Sequence, residues 1–460
     1  MAHTHRPARR RFLRLSARLA ALGLAGLGLD PWRRLFPGIS AAPRATDYKA
    51  LVCVYLFGGN DSSNLIVSRR SGPASDPYSY EAYRVARSGL ALGAPGTTTL
   101  LADLADSAGN PYALHASAGE LDRLYRSGQA AFLLNTGALT RPLTKEQYQQ
   151  GLTRPANLFS HSDQTTQAFT AQSEATTSGW GGRLLDVFGP GDPLSAVSVS
   201  SHSVFLEGID VRSNVIPPGS SLALAALSGL SADAADARRQ ALNAMVLMDG
   251  GHPLREAANG QFASGLQLAD TLQLSGNLPT LSVTFPNTGL GNQLREVARL
   301  IRIRSTMGPG RQVFFCSMGG FDTHTGQLGT HSSLLLQLSQ GLGAFTTAMQ
   351  DLGLGANVTA FTQSEFNRTF QFNGSGSDHA WGGHQVVLGG AVRGGIYGSL
   401  PQQVLGGPDD VGTRGMFIPT TSSAQVGATL GRWFGASETE LATAFPTLAN
   451  FPTANLGFMA

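Results

Sequence analysis

Apolar residues along this chain follow two spacings. Short unbroken apolar runs, of which Ala50-Leu-Val-Cys-Val-Tyr-Leu-Phe57 is the clearest, occur at 50–57, 130–135, 196–200, 312–317, 357–362 and 385–388. Runs of this length, apolar at successive positions, predict strands buried on both faces. Between them the apolar residues recur every three or four positions, at 118–127, 182–187, 232–248, 254–274, 293–304 and 332–352, which predicts helices. Strands alternating with helices imply an α/β fold, a mostly parallel central sheet with helices on both faces.

The stretch 232–304 is nearly continuous helical pattern with few strand signals, so a helical insertion is expected at about 220–304. The tail reads as one or two short helices, 422–435 and 437–451, with Pro446 and Pro452 as breakers. No fixed-period repeat appears despite 57 glycines, and 46–460 is read as one α/β domain.

The N-terminus changes the charge picture. Arg9-Arg10-Arg11-Phe12-Leu13-Arg14 fits a twin-arginine export signal, followed by a modestly apolar stretch from Leu15 to Leu29. That stretch is interrupted by Arg18 and is shorter than the roughly 20 apolar residues a membrane span needs. Residues 1–45 are therefore expected to be a signal peptide read by the twin-arginine translocase, leaving a periplasmic or secreted protein with no transmembrane segment. This route carries folded proteins, so a metal can be loaded before export. Residues 1–45 hold nine arginines and one acid, so the 33 bases and 30 acids of the whole chain become 24 and 29, a formal net of −5. With no dense basic patch left, a nucleic-acid partner is not expected. Cys53 and Cys316 sit inside apolar runs and read as buried free thiols.

Only 14% of the residues are charged, so a cluster of acids and histidines between Gly319 and Gly395 stands out. The first strand runs into Gly58-Gly59-Asn60-Asp61, and the strand at 312–317 runs into Gly319-Gly320-Phe321-Asp322-Thr323-His324. Carboxylates just beyond strand ends lie where α/β sheets usually hold ligands. Asp322 and His324 are two residues apart, so an extended backbone turns both to one side, as a divalent cation requires. Glu365 and Arg368 follow the strand at 357–362. They read either as a rim ion pair or as a ligand or base beside an anion-binding guanidinium. Asp378 and His379 follow a Gly/Ser-rich loop, and His384 suits a histidine that orients a ligand. Ser160-His161 precedes a helix, where Ser160 is either an N-cap or a nucleophile. There is no Gly-x-Ser-x-Gly elbow, phosphate-binding loop or dinucleotide fingerprint.

Taken together these segments resemble the domain of unknown function 1501 family, over about residues 48–452. The resemblance rests on Gly-Gly-Asn-Asp61, the Leu-His115 segment, the Ser160-His161 loop with Gly179-Trp180-Gly-Gly-Arg183 behind it, Gly-Gly-Phe-Asp322-Thr-His324, Ser364-Glu365-Phe-Asn-Arg368 and Asp378-His379-Ala-Trp-Gly-Gly-His384. The family is placed in the alkaline phosphatase and sulfatase superfamily, which implies a metal-assisted ester hydrolase scaffold. Carried over by position, Asp61, Asp322, His324 and His379 match the superfamily's metal ligands, and Ser160 stands in the chain order of its nucleophile. Glu365 stands where the superfamily commonly has an Asp-His pair, and Phe366 cannot ligate, so one ligand is lost.

The expected protein is thus an exported metal-dependent hydrolase of small phosphate or sulfate esters. One or two ions (Zn²⁺, Mn²⁺ or Ca²⁺) would be held by Asp61, Asp322, His324, Glu365, Asp378 and His379. Ser160, Glu365 and Arg368 are the expected catalytic residues, with His161 and His384 in support. The alternative is a non-catalytic, metal-stabilised envelope or secreted protein on the same scaffold.

Overall fold

The computed structural model describes residues 47–93, 99–101, 103–174, 176–189, 193–219, 229–246, 252–275, 281–304 and 310–460. The expected signal segment lies outside these residues. The first half contains β1 (Lys49–Leu56), β2 (Ile66–Ser68), α1 (Tyr80–Arg87), β3 (Leu104–Ala105), β4 (Pro111–Leu114), α2 (Gly119–Arg126), β5 (Ala130–Gly137), α3 (Lys145–Gln149), α4 (His161–Thr170), α5 (Trp180–Asp186), β6 (Ala196–Ser198) and β7 (Asn214–Val215). The second half adds α6 (Ala232–Val246), α7 (Pro253–Ser275), α8 (Gly289–Arg302), β8 (Arg311–Met318), α9 (Gln327–Asp351), β9 (Val358–Gln363), β10 (Gly383–Leu388), β11 (Gly395–Tyr397), β12 (Thr421–Ser422), α10 (Ser423–Phe434) and α11 (Glu438–Ala444).

Every apolar run singled out in the sequence is a strand of one sheet, ordered β11-β5-β10-β9-β1-β8-β6-β7, with β12 also on β5. Among the described residues β10 alone runs against its neighbours β5 and β9, and the other pairs are parallel. The cause is the β9–β10 connection. It returns through loop 364–382 without a crossover helix, and a parallel strand beside β9 would need one. The fold is therefore α/β with a mostly parallel sheet. A separate antiparallel sheet, β2-β4-β3, has no counterpart in the sequence expectation because its strands are too short to show a period.

Helices cover both faces. On one, α2, α8 and α9 pack over Val52, Val54, Phe314 and Cys316. On the other, α5, α10 and α11 lie over Leu51, Cys53, Val313 and Phe315. This two-sided burial is why the central strands read as unbroken apolar runs rather than alternating ones. Helix α8 buries Leu290, Leu294, Val297 and Ile301 against the sheet layer, while α6 has no buried residue and pairs with α7. No described helix is long and apolar enough to cross a membrane.

Strands β8, β1 and β9 are adjacent and parallel, so their carboxyl ends meet at one edge. There Gly58 and Gly59 adopt φ of 115° and 82°. A Cβ on Gly58 would lie 2.2 Å from the Asp322 nitrogen, and one on Gly59 would lie 2.3 Å from the Phe366 ring. Glycine at both positions is what lets the three strand-end loops close on one another.

The two cysteines are near neighbours in register, with Cys53 opposite Phe315 and Cys316 opposite Val54. Because side chains alternate across a strand, they fall on opposite faces of the sheet and cannot be bridged. Burial pushes both thiols up from their ordinary range. In the native protein neither should react with a thiol reagent, and both should react after denaturation. Unequal or rapid native labelling would contradict this placement.

Candidate metal centre at the carboxyl edge of the sheet

Four loops contribute. Asp322 and His324 lie between β8 and α9, Glu365, Arg368, Asp378 and His379 lie between β9 and β10, and Gly58 follows β1. The fourth is the turn before α4. There Asn157 and Phe159 take left-handed φ of 48° and 71°, rare for side-chain-bearing residues and costly by about 1–3 kcal/mol. That strained turn sets the Phe159 carbonyl against His379 and starts α4 at His161.

Three imidazoles share one geometry. Nδ1 of His161 lies 2.9 Å from Glu365 Oε1, Nδ1 of His324 lies 3.1 Å from Asp378 Oδ1, and Nδ1 of His379 lies 2.8 Å from the Phe159 carbonyl oxygen. Carboxylates and carbonyls only accept, so each Nδ1 carries the proton and each neutral ring keeps a lone pair on Nε2. All three Nε2 atoms face Asp322. Asp322 Oδ1 is 3.0 Å from His324 Nε2 and 3.3 Å from His379 Nε2, which are 3.2 Å from each other. His161 Nε2 approaches Asp322 Oδ2 at 3.5 Å, and it is buried with no hydrogen-bond partner.

Two lone pairs that close require a proton or a cation between them. The spacing matches the edge of a tetrahedron with bonds of about 2.0–2.1 Å, which is about 3.3 Å. Ligand atoms of His161, Asp322 and His379 lie within 4.8 Å of one another and could hold a metal ion. His324 adds a fourth donor at the same carboxylate. The orphaned His161 nitrogen and the anchored outer nitrogens are the features expected of metal-ligating histidines.

Electrostatics favour the ligand form of Asp322 and His379. Burial raises the Asp322 carboxyl, but the hydrogen bond and charge of Arg368 more than offset it and hold it below its ordinary value. Burial, with the Arg368 charge, pushes His379 below the ordinary imidazole range despite the pull of the Phe159 carbonyl and Asp322. Phe366 stacks on His379 at 4.7 Å and lies 4.8 Å from His161, forming an apolar wall on that side.

The residues singled out in the sequence take several positions. Asp322, His324 and His379 come together as ligands would, and His161, expected only in support, joins them. Glu365 and Asp378 sit one step out. Glu365 Oε1 also accepts from the Gly58 N–H at 2.7 Å, while Asp378 pairs with Arg414. Asp61 is elsewhere. It is fully buried, and its Oδ2 accepts from Arg87 and Gln327. Arg368 is fully buried and donates to Asp322 Oδ1 at 2.7 Å, to Gly58 O at 3.2 Å and to Ser377 O, so it is not free to clamp a substrate. Ser160 is the N-cap of α4, and its hydroxyl lies 2.6 Å from Asp163 Oδ2. His384 is buried with Nδ1 accepting from the Asn135 N–H at 2.9 Å, apart from the three ligand-like histidines. His331, inside α9, donates to Asn60 Oδ1 at 2.9 Å. No local signal could have promoted His161. Its partners lie more than 160 residues downstream, and only the fold brings them to it.

Fold and site together define an α/β protein with a candidate His/Asp metal centre at the carboxyl edge of its sheet. The chain belongs to the family described as "Protein of unknown function (DUF1501)", which matches residues 48–411. Among solved structures it is similar to Ps i-CgsB in complex with k-i-k-neocarrahexaose, at 8% identity and TM-score 0.35 over 86% of this chain and 74% of that one. A second structure of Ps i-CgsB matches at 9% identity and TM-score 0.35 over 88% and 77%. The PsFucS1 sulfatase from Pseudoalteromonas sp. matches at 8% identity and TM-score 0.34 over 86% and 69%. No curated protein matches in sequence.

Two outcomes follow from this geometry. Protein purified without added metal should carry about one equivalent of divalent metal. His161→Ala should remove it with the metal-free melting temperature little changed, Asp322→Asn should remove it and also lower that temperature because buried Arg368 loses its charged partner, and Glu365→Gln should weaken it by about 10–100-fold. Metal analysis showing the same content in all four proteins would contradict the assignment.

The second concerns pH. Burial pushes His331 and His384 down to about 4, so both stay neutral in the fold where an exposed histidine is already taking up protons. Between about 6.5 and 4 the unfolded chain binds more protons than the native one. Stability should therefore fall as pH drops through that window, each ring contributing a slope of up to about 1.4 kcal/mol per pH unit. Urea unfolding at stepped pH should reveal the slope, and a flat profile would rule it out.

Proposed function

We propose that the protein is an exported, metal-dependent hydrolase of small anionic esters, phosphate or sulfate. The observation carrying this reading is the convergence of three anchored imidazole Nε2 atoms and one carboxylate at the strand carboxyl ends. A three-nitrogen, one-oxygen set suits Zn²⁺ or Mn²⁺; Ca²⁺ prefers six to eight oxygens. His161, Asp322, His324 and His379 would hold the ion. Bound there, it supplies Lewis acidity, offsetting charge on an ester oxygen and making water more acidic.

The chain's own residues orient and balance. Glu365, Asp378 and the Phe159 carbonyl keep the Nδ1 protons in place and the Nε2 lone pairs inward. Arg368 keeps Asp322 ionised and pins it to Gly58. Phe366 keeps water from one side of the His161 and His379 rings. The twin-arginine-like N-terminus supports export of the folded, loaded protein through the translocase to the periplasm or beyond. One observation favours the non-catalytic alternative: the Ser160 hydroxyl is engaged as a helix cap and with Asp163, so it is not free to act as the nucleophile.

Metal-replete protein should hydrolyse some aryl phosphate or sulfate ester. A chelator should abolish turnover, and Asp322→Asn should lower kcat/KM by orders of magnitude. Ser160→Ala should cost about 1 kcal/mol of stability and leave turnover in place. A broad ester panel with no metal-dependent turnover would leave the non-catalytic reading.

A further inference from the structure

Charge at the centre is closely balanced. Among the described residues, three carboxylates meet it directly or through a histidine: Asp322, Glu365 and Asp378. Two guanidiniums face them, and both are engaged. Arg368 is buried against Asp322, and Arg414 pairs with Asp378 Oδ2 while its Nε donates to Gln371 Oε1 at 3.0 Å. Three negative and two positive groups leave one negative charge, and a divalent ion turns that into one positive charge. Arg414 differs from Arg368 in being part-exposed, at 39%, so it could face a ligand if Asp378 released it.

We propose that the Asp378–Arg414 pair sets the charge of the substrate, so that the centre takes singly charged esters (sulfate monoesters or phosphate diesters) and disfavours doubly charged phosphate monoesters. This rests on the hydrolase reading and narrows it. A monoanion matches the single surplus charge. A dianion brings one charge with no counter-charge, in a partly desolvated site where an unbalanced charge is costly. Asp378 is a specificity-determining residue here because it serves two groups at once. One oxygen anchors His324 and the other pairs with Arg414.

The test uses ligands that need no turnover. At about pH 8 methyl phosphate is doubly charged, its second pKa being about 6, whereas methyl sulfate and dimethyl phosphate are singly charged. Calorimetric titration of the metal-loaded protein should find both monoanions bound about tenfold more tightly than methyl phosphate. Asp378→Asn keeps an oxygen for His324 and frees Arg414, and should move that ratio about tenfold towards methyl phosphate. Adding Arg414→Gln to it should restore the wild-type order. Metal content measured on the same samples separates loss of the ion from a change of preference. The proposal is overturned if methyl phosphate binds the wild type as tightly as the monoanions, if Asp378→Asn leaves the ratio unchanged, or if none of the three binds. Should the anions bind in the expected order while no ester is ever hydrolysed, the hydrolase reading falls and the charge rule stands.

Discussion

One buried guanidinium holds the centre together. Arg368 donates to the Gly58 carbonyl after β1, to Asp322 after β8 and to the Ser377 carbonyl in the β9–β10 loop. Three loops that begin on three adjacent parallel strands are thereby fixed to one donor fork, whose planar shape allows it to serve several acceptors. The geometry is tolerated because Asp322 returns a full negative charge to a cation removed from water. Without that partner the buried arginine would be strongly destabilising. The left-handed Gly58 and Gly59 are the complementary requirement, since any Cβ there would push Asp322 or Phe366 off the cluster.

Around this fixed carboxylate, function divides by distance. The groups whose atoms converge are neutral imidazoles and one carboxylate. The groups one bond further out are the charged ones, Glu365, Asp378 and the two arginines. This ordering follows from the hydrogen-bond partner each residue type needs. An imidazole offers a lone pair inward only when its other nitrogen has an acceptor, and a buried carboxylate is stable only when donors reach it. Glu365 meets both conditions at once by accepting from the His161 ring and the Gly58 amide.

Behind the centre lies a second polar layer of different character. Asp61 and Arg87 form a fully buried pair, Gln327 links Asp61 to Ser377, and His331 bonds to Asn60. Through Gln327 and Ser377 this layer reaches the same Arg368 that fixes Asp322. Asp61 thus supports the loop framework from behind, which explains how an acid at a strand end can sit close to the site in sequence pattern and yet face away from it.

Much of the architecture was legible in the residues themselves. The runs beginning at Ala50, Ala130, Ala196, Gln312 and Asn357 are all strands, because burial on both faces leaves an unbroken apolar signature that no distant contact is needed to explain. The pairing of Asp322 with His324 was expected from an extended backbone, but the Thr323 and His324 amides bond back to the Phe321 and Asp322 carbonyls, so tight turns bring the two together. The direction of β10 was not legible, because it depends on how loop 364–382 returns. Nor was the division between Asp322, which converges, and Asp61, Glu365 and Asp378, which do not. All four are acids in loops after strands, and which one meets the inward Nε2 atoms depends on where Arg87, Arg368 and Arg414 lie in space. His161 was the least legible, since its role comes from a strained turn at Phe159 and from Glu365 two hundred residues away. Local pattern determined which segments are strands and which residues carry donors. Tertiary structure alone decided which lone pairs point inward, because that choice is made by the hydrogen-bond partner of the opposite atom.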